Sequence, residues 1–156
     1  MVAEIALWAA LATAVVGAVW DVRTRRIPNW LVGILAVCAI TTTVASGGLE
    51  LLGSAAIHAG IALAIGVGLF ALKAIGAGDA KFYTAAALAV PLDRAWFMFG
   101  WVVLAGFLLM IVLMIYYRGL KIMTDGKKRS WTLPYGLPIC CGFIAAFLSD
   151  SNSLIF

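Results

Sequence analysis

Six apolar runs, separated by short polar connections, divide the chain. They cover about 3–20, 30–45, 54–75, 80–90, 95–117 and 135–148. A helix needs roughly 20 apolar residues to cross the hydrocarbon, and somewhat shorter ones are tolerated near thin or interfacial regions. The fourth run, at about a dozen residues, covers only roughly 18 Å at 1.5 Å per residue. Gly78 and Pro91 bound it, so it cannot simply be lengthened. The pattern predicts an all-α, polytopic membrane helix bundle of about six transmembrane spans, in one domain over 1–156. The one long polar connection, 118–133, is expected to be a loop rather than a separate methyltransferase domain.

Composition agrees. The chain has 156 residues, 65% of them hydrophobic and 12% charged, with mean hydropathy +1.09. Soluble domains carry roughly twice that charged fraction, so the excess apolar surface here is expected to face lipid. A net charge of +4 could suggest nucleic acid. The basic residues instead cluster between apolar spans, with no aromatic-interleaved basic face of the kind that tracks phosphates, so no nucleic-acid partner is expected. Cys38, Cys140 and Cys141 lie in apolar spans without metal spacing and read as buried small hydrophobes; no metal or cofactor is expected. Met1-Val2-Ala3-Glu4 lacks a basic signal region, so the first span is expected to be retained.

Orientation follows from lysine and arginine. With both termini outside, the connections at 21–29, 73–81 and 118–133 face the cytoplasm. They hold Arg23, Arg25, Arg26, Lys73, Lys81, Arg118, Lys121, Lys127, Lys128 and Arg129, leaving Arg94 as the one outer basic residue. The positive-inside rule favours this assignment. It also puts Asp21 and Asp79 on the same, cytoplasmic side. Gly76 and Gly78 imply an irregular backbone before the short fourth span, tolerable at that depth only where protein or a wet cavity satisfies it.

Candidate chemistry narrows quickly. The chain's single histidine, His58, is expected near the outer end of the third span, across the bilayer from both aspartates, which disfavours serine–histidine and cysteine–histidine sites. An HExxH zinc motif is absent. Two carboxylates sharing one proton remain: the ionised one activates water and the protonated one donates to the peptide carbonyl. Each part alone has a plainer meaning. Asp79 after Gly78 could be a helix cap, Asp21 could pair with a nearby arginine, and Asn29 could cap the second span. A small transporter or channel with Asp21 and Asp79 as proton or ion ligands is the competing reading. The outer halves of the spans are nearly free of the polar residues such a path needs. A structural subunit with helix-capping aspartates is a third.

The combination carries more than its parts. Asp21 followed by basic residues and Ile27-Pro28-Asn29, then Gly76-Ala77-Gly78-Asp79-Ala80-Lys81, then Pro134-Tyr135-Gly136, resembles the type IV prepilin peptidases. These are Gly-x-Gly-Asp intramembrane aspartyl proteases, and in length the chain is similar to their compact tight-adherence (Flp) branch. The resemblance implies Asp21 and Asp79 as the catalytic pair. Gly76, Gly78, Lys81, Pro28, Asn29, Pro134, Tyr135 and Gly136 would be substrate-binding or structural supports. It further implies a prepilin or pseudopilin substrate, with a short basic leader cut after glycine at the cytoplasmic face of a prokaryotic inner membrane. The cysteine-rich region of the larger, methylating relatives has no counterpart here, so peptidase activity alone is expected.

Overall fold

The computed structural model describes residues 1–121 and 134–151, and among these every regular element is helical. Most of the 118–133 connection lies outside the described residues. The helices are α1 (Val2–Thr24), α2 (Asn29–Ala71), α3 (Ala77–Ala87), α4 (Ala95–Lys121) and α5 (Gly136–Ser151), with a 3-10 turn at Leu92–Arg94 before α4. Three helical stretches, α1, α2 and Leu92–Tyr116 (the 3-10 turn with most of α4), are long and apolar enough to cross a membrane.

The second and third apolar runs form one unbroken helical stretch by hydrogen bonding, but its backbone leaves helical geometry at Gly47 (φ −146°, ψ 18°) and Gly48 (φ 65°, ψ −155°). The chain reverses there. Thr43 Oγ1 donates to the Leu88 carbonyl at 2.7 Å, and His58 Nδ1 donates to the nearby Val90 carbonyl at 2.8 Å. On one straight helix residues 43 and 58 would stand roughly 22 Å apart, too far to reach neighbouring acceptors. At the other end, Asn29 meets Lys81 and Gly66 packs on Ala80. The two halves of α2, 29–46 and 49–71, are thus antiparallel, and both line α3.

Small residues let these helices approach. Ala6, Ala10, Ala14, Gly17, Ala18 and Asp21 make the buried stripe of α1. Gly17 is where the packing is closest: a Cβ there would lie 2.7 Å from the Phe82 ring and 2.8 Å from Leu31. In a membrane, where lipid is as apolar as any side chain, such close packing rather than a hydrophobic drive holds helices together. Phe82 and Phe143 are fully buried at the centre, among Leu31, Leu35, Ala85, Ala86 and Ile139. Gly142 of α5 packs directly against Val102 of α4. By contrast α4 turns most of its large apolar side chains outward, from Trp96 to Ile115, as a lipid-facing helix does.

The expected fourth span begins three residues early. α3 starts at Ala77, so Asp79 stands within its first turn rather than ahead of it. The N-cap position belongs to Gly76. Asn29 likewise is the first residue of α2, with Pro28 at the cap and no side-chain capping bond. The cysteines divide: Cys140 is buried, Cys38 half-buried, and Cys141 exposed rather than enclosed.

Candidate active site

Asp21 lies in the last turn of α1 on that helix's buried stripe and is itself 4% exposed. Its Oδ2 accepts the Gly136 N–H at 2.9 Å. Gly136 is the first residue of α5, where backbone N–H groups have no partner within the helix and the helix dipole favours negative charge. Pro134 and Tyr135 set up this start: the Pro134 carbonyl accepts from Leu137 and that of Tyr135 from Ile139. Pro134 and Gly136 are buried and Tyr135 is half-buried against the core. Glycine is required at 136 because a Cβ there would lie 2.9 Å from the Asp21 Cβ and 3.1 Å from its Oδ2.

Asp79 occupies the third position of α3. Its Oδ2 accepts the Gly76 N–H at 3.1 Å, so the side chain reaches back to close the helix start, the carboxylate half of a capping box. A Cβ on Gly76 would come within 2.9 Å of that same oxygen. Gly78 has a different neighbour. The position of its missing Cβ is 3.7 Å from the Ile27 Cβ and backbone nitrogen, so the 25–28 turn docks on the start of α3 through a buried isoleucine.

These contacts bring the two aspartates to one end of the bundle, where α1 stops and α3 starts and the turn between α1 and α2 docks Ile27 on Gly78. Arg25 takes a left-handed backbone (φ 56°), and its N–H donates to the Asp21 carbonyl at 2.7 Å, which ends α1 right beside the carboxylate. Trp20 and Trp30 meet edge to face at 6.1 Å at the same end. Indole rings concentrate at membrane–water interfaces. Asn29 Oδ1 accepts from Lys81 Nζ at 3.5 Å, a link between α2 and α3 at the rim. Pro28 shapes the entry to α2, its carbonyl accepting from Leu31 and Val32.

His58 is elsewhere. It is buried near the far end of α3, bonded to Val90 and edge-on to Tyr83. Among the described residues no three of His, Cys, Asp or Glu gather as a metal-ligand set. Two residues beside the aspartates were not singled out by their side-chain chemistry: Ile27 and Arg25. Ile27 has a signal in hindsight, being the one large apolar residue in an otherwise basic turn. Arg25 has none that separates it from Arg23 and Arg26.

The fold and this end of the bundle define an integral membrane protein whose apolar helices carry two neighbouring carboxylates. A family profile described as the type IV leader peptidase family matches residues 8–118. The chain belongs to that family, and is accordingly a membrane peptidase, a hydrolase. No curated protein and no solved structure matches it.

Proposed function

We propose that the chain is an intramembrane aspartyl endopeptidase that removes the short basic leader of prepilins or pseudopilins, cutting after glycine at the cytoplasmic face of the inner membrane. One observation carries the reading. Two helices far apart in sequence deliver Asp21 and Asp79 to the same end, and in each carboxylate one oxygen is held by a glycine N–H. The proposed chemistry assigns the other oxygen of each aspartate to water and substrate.

The chemistry follows from a pair that shares one proton. The ionised carboxylate removes a proton from water as the water oxygen attacks the peptide carbonyl carbon. The protonated carboxyl gives its proton to the carbonyl oxygen, forming a neutral tetrahedral diol. When the diol collapses, one of its hydroxyls returns a proton to the ionised carboxylate, the C–N bond breaks, the leaving nitrogen takes a proton from the protonated carboxyl, and the carboxyl product departs with the leader. The pair acts and titrates as a unit. Gly76 and Gly136 hold the two carboxylates in place, so the reacting geometry needs little reorganisation. The substrate's basic leader stays on the side where this chain's own lysines and arginines lie.

The test uses membranes containing a prepilin with a basic leader, a glycine and an apolar segment. Asp21→Asn and Asp79→Asn are each expected to abolish leader removal while the protein remains inserted at wild-type level. Processing retained by either variant rejects the aspartyl reading.

A further inference from the structure

A groove of about 380 Å³ lies between α1 and α5, lined by Val15, Ala18, Val19 and Val22 on one wall and by Leu137 and Cys141 on the other. On α1 these positions recur every three to four residues, one face of a helix. On α5 they occupy the first two turns. Arg23 closes the polar end. Nothing in the site described above uses this space.

Its position gives it meaning. Leu137 follows Gly136, whose N–H holds Asp21, and Ala18 and Val22 flank Asp21 along α1. The groove therefore lies alongside the turns of α1 and α5 that carry Asp21 and Gly136. From residue 15 to residue 23 it extends roughly 12 Å, about two helical turns. A two-turn helix with its side chains, about 10 Å across, occupies on the order of 900 Å³, so the groove cannot swallow one. It has room for the side chains of one helix face, with the opposite face left toward lipid, as in helix-in-groove recognition.

We propose that this groove seats the first two turns of the apolar segment that follows the scissile bond, entering sideways from the bilayer. The inference rests on the peptidase reading, because it is the adjoining carboxylates that select this occupant. An apolar segment lying against 15–22 with its start at Arg23 presents its N-terminal peptide bond at the level of Asp21. The groove thus sets where along the substrate the cut falls, and its apolar lining makes helical hydrophobicity, rather than residue identity, the recognised quantity after the bond.

Native Cys141, exposed on the groove wall, provides the test. A synthetic prepilin is reconstituted with the Asp79→Asn enzyme in liposomes. One cysteine is scanned through the first ten or so residues after the cleavage glycine, and oxidation is used to trap disulfides. Crosslinks are expected only in the first two turns, recurring every three to four residues and lost in Cys141→Ser. Crosslinks without that period, or confined to a thiol-bearing lipid or to a second enzyme copy, overturn the proposal. In the otherwise native enzyme, Val19→Trp is expected to raise KM about tenfold with kcat unchanged. Val37→Trp, at an exposed position of α2 away from the groove, is expected to leave both constants as they were. Equal KM values for the two tryptophan variants overturn the groove while leaving the aspartate chemistry intact. Cleavage by Asp79→Asn overturns the aspartate chemistry, and the crosslinking pattern still decides the groove.

Discussion

At the scale of single residues, two glycines act through the carboxylates they hold. A methyl group on Gly136 would be pressed against both the Cβ and Oδ2 of Asp21, and one on Gly76 against Oδ2 of Asp79. Either aspartate makes room only by shifting its carboxylate away from the position the glycine N–H holds. A misplacement of about 1 Å at a reacting group costs on the order of a hundredfold in rate. Gly136→Ala and Gly76→Ala are therefore each expected to lower kcat for leader cleavage by about that factor, with helical content unchanged. Gly33→Ala is the matched control. Nothing lies within 4 Å of its added methyl, so activity is expected to stay at wild type. A Gly136→Ala enzyme of normal kcat would show that the Asp21–Gly136 bond has no part in catalysis. The need for glycine at 136 is not visible in a local reading of the chain. Its partner is Asp21, at the opposite end of the chain, and no periodicity or composition links the two.

The elements themselves are more legible. Apolar runs and glycine or proline punctuation locate the helices to within a few residues, because lipid demands long apolar stretches and a satisfied backbone. What periodicity does not reveal is which small residues are contact points. Gly17 and Gly33 look alike in sequence, yet one meets Phe82 and Leu31 and the other meets nothing. Asn29 looked like a cap and bridges to Lys81 instead, because Pro28 already occupies the cap position. Two predictions follow at this scale. Gly17→Leu would force apart the α1, α2 and α3 contact and is expected to destabilise by about 1–3 kcal/mol, the cost of overpacking, read as an earlier unfolding transition in detergent. Gly48→Ala would impose φ 65°, ψ −155° on a side-chain-bearing residue. That region is essentially confined to glycine and costs about 1–3 kcal/mol otherwise. The variant is expected to unfold earlier too, while Gly53→Ala, with open space around it, is not.

For the whole molecule, the distribution of charge and the placement of the aspartates bear on one question, which side of the membrane the chemistry faces. Asp21, Asp79, Arg25, Lys73 and Lys81 belong to the end where α1 stops and α3 starts. His58, Thr43, Val90 and the Leu92–Arg94 turn form the other end. Short loops rich in lysine and arginine stay in the cytoplasm, so the proposed function takes the first end as the inner one, where a leader still attached to an unassembled substrate would meet it. Cysteine labelling in intact cells separates the two possibilities. In a background free of Cys38, Cys140 and Cys141, Lys73→Cys is expected to react with a membrane-impermeant maleimide only after the cells are opened. Asp93→Cys, beside the exposed 3-10 turn, is expected to react in intact cells. Because both residues are at surface-exposed ends of the same short unit, 72–94, they must report opposite sides if α3 and its flanking turns bridge the bilayer. The reverse pattern would put both carboxylates outside, and cleavage of a cytoplasmic leader by them would then be geometrically impossible. Labelling of both from one side would mean that α3, at 11 residues, is a re-entrant segment and not a crossing, and the paired aspartates would face whichever side Lys73→Cys reports.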